Sequence, residues 1–587
     1  MNAPFIEMTQ ISPFAGKLYL ETVAGETSRK IEHENDVQAA DGQERTMYAY
    51  APRSGCPDAK QTQVVMVLRE GSDEASAEAI LKELELDVLA EQEHVLILLP
   101  NPAPGGWNYA CDAHRDNDMD FLMRCFGALR GSKLGVNGFN GMIYYLAATE
   151  SASGLLMNMA SRRPLNVPAM VIGPFPSDYT VPADGLHVET AACVFSNPAA
   201  EAYLKTANGV SAEETEEEMV LYTGTNPNVR LAVTEQVLDA AAVRTCWKKV
   251  LNLSRRWQND THGTYQKRTN FLQRGFTAHI KDSSLGCNDG YSHTWYEYIP
   301  PQLRGTQEKV PLVFYFHGVN CVPLYGAEQS GWHEIADREN LIVVYPAPAV
   351  AKAWNIYNDP SLPSDFDFVM ALIEHMKTVH PIDETRIYAT GFSMGAMMTH
   401  ALCGAYPDVF AAGAPCNAYD MASFMMPKAL YKGAVQGVDS TRLTDDPPQR
   451  KLAEEKWGSR DYRMPMIQNV GMDDGITGAW PVTECAGDVR DKTLDRWKQR
   501  NNIPRENLFD SKKLSGLAAD ESFWEDPEQR FFHQRWRSDD PGHPVLFEQI
   551  IAKRMPHAVL PKQIGFAWQF IRKFRRMKDG SLKIEEA

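Results

Sequence analysis

Five residues, Gly391-Phe392-Ser393-Met394-Gly395, carry the strongest chemical signal in this 587-residue sequence. Before them, Arg386-Ile387-Tyr388-Ala389-Thr390 reads as a short buried strand; after them, Ala396-Met397-Met398-Thr399-His400-Ala401-Leu402 reads as a helix. Two glycines flanking a serine let the chain turn sharply from strand to helix. They hold the serine in a strained conformation with its hydroxyl clear of the strand end. Such a hydroxyl becomes a nucleophile when a base takes its proton and a carboxylate orients the base. The five-residue pattern alone is common in a chain of this length, so the order of its partners decides its meaning.

Those partners follow in the order acid, then base. Met464 to Val470 reads as a strand leading into Gly471-Met472-Asp473-Asp474-Gly475. Asp474 is the first choice for the orienting carboxylate and Asp473 the alternative, although Asp-Gly also describes a solvated turn. His557, in Arg554-Met555-Pro556-His557-Ala558-Val559, stands just ahead of a helical run from Gln563 to Phe574. Of the 15 histidines, His317, His333, His375, His380 and His400 read as loop, helix-surface or packing residues. Upstream, Val313-Phe314-Tyr315-Phe316-His317-Gly318 reads as a buried parallel strand ending in a turn. Glycine there frees backbone N–H groups to face a developing negative charge, and the N–H of Met394 would be a second donor. The set spells two-step acyl transfer: Ser393 attacks, His557 relays the proton, Asp474 holds the imidazole. That chemistry needs no metal and no organic cofactor.

A family resemblance extends beyond these motifs. The strand ending in His317-Gly318, then Gly331-Trp332, Ile335-Ala336-Asp337, Val343-Val344-Tyr345-Pro346, Trp354-Asn355, Asp365-Phe366-Asp367-Phe368, the serine motif and Met555-Pro556-His557-Ala558 together resemble the polyhydroxybutyrate-depolymerase and feruloyl-esterase group of serine esterases. The resemblance covers roughly 275–580. It implies an α/β-hydrolase fold, Ser393, Asp474 and His557 as catalytic residues, and Val319 and Met394 as oxyanion donors. It also implies His317, Trp354 and Asn355 on the substrate side. The substrates it implies are aryl, acetyl or hydroxyacyl esters, free or polymer-linked. The sequence departs from the pattern at Val319-Asn320 and Met394, and 417–460 and 500–550 read as insertions at the pocket rim. Met421, Phe424, Met425, Met426, Phe523, Trp524, Phe531, Phe532 and Trp536 would line an aromatic pocket or form the core of those insertions. A peptidase or amidase on the same fold, and a non-catalytic pseudo-hydrolase binding protein, are the alternative readings.

The N-terminal half reads as a worn copy of the C-terminal half. Trp107-Asn108 followed by Asp118-Met119-Asp120-Phe121 matches Trp354-Asn355 followed by Asp365-Phe366-Asp367-Phe368, at an offset of 247 (354 − 107). The same offset pairs Glu70-Gly71 with His317-Gly318, and Thr46 to Pro52 echoes Thr294 to Pro300. The chemistry is gone from this copy. Thr149-Glu150-Ser151-Ala152-Ser153, or else Gly138-Phe139-Asn140-Gly141, stands for the serine turn, and Val194 to Ala199 has no carboxylate in place. His262 is the only nearby histidine and reads as exposed; Ser151, unpaired, is not activated.

Two tandem α/β-hydrolase-like domains are therefore expected, 1–268 degenerate and 269–587 catalytic, each a mostly parallel doubly wound sheet, the second with cap-like insertions. A polar stretch at 255–268 would join them, and the charged tail from Lys578 would fray. The net charge of −17 argues against nucleic acid or an anionic membrane as partner, and no run of 18 apolar residues is present. The acidic run 213–218 reads as a solvated loop or helix face. The N-terminus lacks a basic-then-apolar leader, which with ten scattered cysteines suggests a cytoplasmic protein; in an exported one Cys287 and Cys321 could pair. Oligomerisation is left open.

Overall fold

The computed structural model describes residues 5–6, 8–9, 14–25, 44–57, 61–109, 118–131, 140–216, 218–287, 290–350, 353–357, 359, 361–420, 462–475, 484–504 and 518–585. It divides into two compact units, Ile6–Arg268 and Thr269–Ala587 with Met1–Phe5. Phe5 thus goes with the second unit: its carbonyl accepts the Tyr296 hydroxyl at 2.9 Å.

The first unit is built on a ten-stranded sheet. Its strands are β1 (Leu18–Val23), β2 (Arg45–Tyr50), β3 (Val64–Leu68), β4 (Leu96–Pro100), β5 (Ile143–Ala147), β6 (Ala169–Ile172), β7 (Ala191–Phe195), β8 (Ala212–Glu216), β9 (Met219–Thr223) and β10 (Arg230–Thr234). They lie in the order β1-β2-β4-β3-β5-β6-β7-β10-β9-β8. From β4 to β10 every neighbouring pair is parallel, and the outer strands are antiparallel. The central strands are apolar runs buried along their whole length, as strands covered on both faces must be.

The stretch 255–268 is a packed hairpin rather than a polar join. β11 (Ser254–Trp257) pairs antiparallel with β12 (Thr264–Lys267). Arg255 and Arg256 are fully buried. The Arg256 guanidinium donates to the carbonyls of Pro164, Val167 and Glu189, and the Tyr265 hydroxyl donates to Pro168 O at 2.6 Å. These three carbonyls offset much of the cost of burying the guanidinium, through its two terminal nitrogens.

The second unit repeats the architecture. Its strands are β13 (Phe276–Asp282), β14 (His293–Tyr298), β15 (Val310–Phe316), β16 (Ile342–Pro346), β17 (Ile382–Phe392), β18 (Ala412–Cys416), β19 (Met466–Gly471), β20 (Glu521–Trp524), β21 (Phe531–Arg537) and β22 (Val545–Ala552). Their order is β13-β14-β16-β15-β17-β18-β19-β22-β21-β20, with β16 to β22 parallel. Strand for strand this is the order of the first sheet. The chain runs from β15 outward to β16, then crosses to β17 on the other side, so the topological switch point lies between β15 and β17. In open α/β sheets ligands bind beyond the carboxyl ends of such a pair.

Three expectations change here. Phe523, Trp524, Phe531, Phe532 and Trp536 lie on β20 and β21, which continue the sheet instead of forming a separate cap. Phe532 packs with Tyr419, Val470 and Ile551, and Phe531 meets Phe566 at 5.3 Å. Met421, Phe424, Met425 and Met426 lie outside the described residues. The charged tail is paired: β23 (Phe574–Arg576) runs antiparallel to β24 (Leu582–Ile584). Residues 213–216 of the acidic run lie in a strand, β8, at the outer edge of the first sheet.

At the edge of the second sheet, His279 stacks on Trp295, with ring centroids 4.2 Å apart, and reaches Glu297 at 3.2 Å and Asp282 at 3.4 Å. His380 lies 3.2 Å from the same Glu297, and the Trp295 indole donates to it at 2.9 Å. Burial alone lowers the His279 pKa, but the Glu297 and Asp282 carboxylates outweigh it and leave it raised. Burial works the opposite way on Glu297, yet hydrogen bonds from His279, His380 and Trp295 hold its pKa well below the carboxylate range. A raised histidine stabilises fully below its unfolded value, about 6.5, and loses this as pH rises through the folded value; a depressed carboxylate stabilises above about 4.3 and loses this on acidification. The cluster therefore contributes most between those values. Thermal melts of wild type and Glu297→Gln should differ clearly at pH 5.5, and the gap should shrink by pH 8.5.

Candidate functional site

Ser393 follows the last residue of β17, and the helix Met394–Ala405 starts at the next residue. Its backbone stands at φ 56°, ψ −121°, a region that non-glycine residues enter at a cost of about 1–3 kcal/mol. The surroundings enforce it. Ser393 N–H donates to Cys416 O at 2.9 Å on the neighbouring strand, and the helix continues through Met397 N–H to Ser393 O at 3.1 Å. A Cβ on Gly391 would lie 2.3 Å from Gly395 O, and one on Gly395 would lie 1.9 Å from Phe316 O. Both positions exclude any side chain because the helix start and β15 meet there in backbone contact.

His557 sits between Ser393 and Asp474. Its Nε2 is 2.8 Å from Ser393 Oγ and its Nδ1 is 2.8 Å from Asp474 Oδ2. The Asp474 carboxylate is fully buried and the His557 side chain is 15% exposed. An ionised carboxylate only accepts, so Nδ1 carries the proton and Nε2 is left to accept the serine O–H. The Phe392 ring lies 4.8 Å from the imidazole and limits its swing. Asp473, the alternative acid, is exposed and donates its N–H to Met555 O at 3.0 Å. Among the other histidines, His400 is fully buried inside the helix after Ser393, accepts the Trp497 indole at 3.0 Å, and is driven by burial to a pKa of about 3. His333 is likewise pushed down to about 3 by burial, then by Arg274.

The loop after β15 lies against Ser393: a Cβ on Gly318 would be 3.2 Å from Ser393 Cβ. Val319 follows on that loop, and Met394 opens the helix, 2% exposed. His317, Trp354 and Asn355 are all buried. The Trp354 indole donates to His317 O at 2.8 Å, and His317 Nδ1 lies 2.8 Å from Gly318 O. Asn355 N–H donates to Asp365 Oδ2 at 2.7 Å, and its side chain binds the carbonyls of Asp359 and Pro363. These residues brace the loop that carries Gly318 from behind. Cys287 and Cys321 do not form a disulfide with each other.

The first unit offers a direct contrast. Across its sheet the paired residues Tyr50, Ile97, Val65 and Tyr144 occupy the places of Tyr298, Val343, Val313 and Tyr388. Five residues beyond Tyr144 stands Thr149, in the place of Ser393. Neither Ser151 nor Asn140 holds that position; Asn140 precedes β5 rather than following it. The register also sets Arg69, not Glu70, opposite His317, and the Trp107 indole duly donates to Arg69 O at 3.0 Å. The sequence match had followed the shared glycine, whereas backbone pairing decides the register. Thr149 is extended, φ −142°, and its hydroxyl caps the next helix by accepting Ala152 N–H at 3.1 Å. After β10 there is no histidine to face it: 235–250 contains none. His262 lies in the β11–β12 turn and is half-buried rather than exposed.

The family model for Esterase PHB depolymerase matches residues 293–419. Poly(3-hydroxyalkanoate) depolymerase C of Paucimonas lemoignei is 33% identical over 264 residues, 40% of this chain and 60% of that protein. Feruloyl esterase B of Thermothelomyces thermophilus is 33% identical over 129 residues, 20% of this chain and 42% of that protein. The chain thus spans less than two thirds of these relatives' length. Among solved structures, an acetyl xylan esterase from Aspergillus awamori aligns with TM-score 0.38 and 17% identity, covering 51% of this chain and 99% of that chain.

Two substitutions test the contrast between the units. Gly395→Ala should lower unfolding stability in urea by about 3 kcal/mol, because the new methyl meets backbone that cannot yield. Thr149→Ala should cost about 1 kcal/mol as a lost helix cap and leave any ester hydrolysis at the wild-type rate.

Proposed function

We propose that this chain, whose residues 293–419 carry an Esterase PHB depolymerase domain, is a serine carboxylic ester hydrolase. The observation that carries the reading is the relay Ser393–His557–Asp474, two hydrogen bonds of 2.8 Å behind a serine at positive φ. Ser393 Oγ attacks the ester carbonyl carbon while His557 Nε2 takes its proton. Asp474 keeps the imidazole in the right tautomer and offsets the charge of the imidazolium. His557 then returns the proton to the departing alcohol oxygen, leaving an acyl group on Ser393. Water repeats the sequence and releases the acid. The N–H groups of Met394 and Val319 are the donors for the oxyanion, each worth about 3 kcal/mol of barrier. Aryl, acetyl and hydroxyacyl esters, free or polymer-linked, are the substrate class, by analogy with the depolymerase and feruloyl esterase named above.

The first unit is, in this reading, a degenerate duplicate of the second. Its support is the shared strand order, the repeated Trp–Asn–Asp bracing, and Thr149 serving as a cap where the second unit holds its nucleophile.

A fluorophosphonate probe should label Ser393 and no residue of the first unit, with the site read by peptide mass spectrometry. Short-chain nitrophenyl esters should be turned over, Ser393→Ala should abolish turnover, and Asp474→Asn should lower kcat by about four orders of magnitude. A chain that neither labels nor hydrolyses any ester of the panel is not an esterase.

A further inference from the structure

We infer that Asn417 is a positioning residue that clamps the acid loop and the base loop to each other; the inference rests on the esterase reading above. Asn417 follows β18, is completely buried, and stands at φ 51°, left-handed for a non-glycine residue. Its backbone N–H and both polar atoms of its side chain are engaged. Its N–H donates to Asn469 O at 2.8 Å. Its Oδ1 accepts Gly471 N–H at 2.6 Å, three residues before Asp474. Its Nδ2 donates to Ala558 O at 2.5 Å and Pro556 O at 3.5 Å, the carbonyls on either side of His557. The preceding residue, Cys416, accepts the N–H of Ser393. The side chain therefore ties the acid and base segments to each other, and the backbone just before it holds the Ser393 segment.

The chemistry of the two ends is not interchangeable. An amide N–H of Gly471 needs an acceptor, and two carbonyls need donors, so only a primary amide of this length fits both sides. The loops it joins already touch: a Cβ on Gly471 would lie 2.3 Å from Met555 O and 2.7 Å from Pro556 O. Without the amide, those carbonyls would lose a buried donor next to the base, and the His557 backbone would be free to shift. The first unit, which has no relay to hold, carries Pro174 at the matching place by strand register. Proline has no side-chain amide to offer.

Two variants of the full chain separate the amide from the backbone conformation. Glycine accepts φ 51° without strain, so Asn417→Gly keeps the turn and removes the clamp. Asn417→Asp keeps the acceptor for Gly471 but sets a carboxylate against the two carbonyls. In each folded variant kcat on a nitrophenyl ester should fall about hundredfold, as expected for a misplaced base. KM should stay within about threefold of wild type, and fluorophosphonate labelling of Ser393 should slow in parallel with kcat. A folded variant of either kind that keeps kcat within about threefold overturns the inference. So does failure of both to fold, which would make the residue a structural support only. A wild-type chain that neither labels nor hydrolyses overturns the esterase reading as well, so the two failures are told apart.

Discussion

The carbonyl oxygen of Phe316 sits where a side chain at residue 395 would begin, and much of the second unit follows from that contact. To come so close, the helix Met394–Ala405 must start directly over the end of β15, and the chain between β17 and that helix must turn within one residue. That residue is Ser393. Its positive φ is a consequence of packing two backbones against each other at the switch point of the sheet, and its Oγ points where it does for the same reason. The loop bearing Gly318 is pressed into the same corner from the other side, steadied by the Trp354 indole on His317 O. The Ser393 turn and the Gly318 loop share one mechanical origin.

The first unit shows what the same topology becomes without that contact. Thr149 meets its helix in an extended conformation, and its hydroxyl turns inward to satisfy a helix N–H. A hydroxyl at the start of a helix can serve the helix or face a substrate, and the backbone angle decides which. Positive φ at Ser393 removes the capping geometry, and the structure gives that serine no side-chain bond to its own helix. What both units retain is the bracing: an indole on the carbonyl after β3 or β15, and a carboxylate accepting the next asparagine's N–H. Those interactions belong to the fold, and both units carry them whether or not a serine–histidine–aspartate relay is present.

Much of this was legible in the chain itself, and the boundary of legibility is physical. The two ten-stranded sheets announce themselves as apolar runs between amphipathic helices. Ser393, Asp474 and His557 each sit in a local context, a turn or a loop after a strand, that short-range patterns describe. Asn417 does not: read as the start of an insertion, it owes its place to bonds with residues 54 and 141 positions away. Arg255 and Arg256 read as part of a polar join because their partners lie far along the chain, the Gln61 side chain for one and three backbone carbonyls for the other, which composition does not reveal. The tail beyond Lys578 looked frayed for the same reason, its order coming from β23. Long-range pairing between main-chain groups is invisible to any reading of residue types.

The outermost strand of the first sheet, β8, exposes Glu213 and Glu214 along a row of backbone groups with no neighbouring strand on that side among the described residues. A bare edge of this kind is a template for another strand. Any chain laying itself there would have to bring its own backbone beside closely spaced carboxylates, a repulsion that grows as salt falls. The acidic run thus acts as a border: it keeps a ten-stranded surface from being lengthened by a stranger.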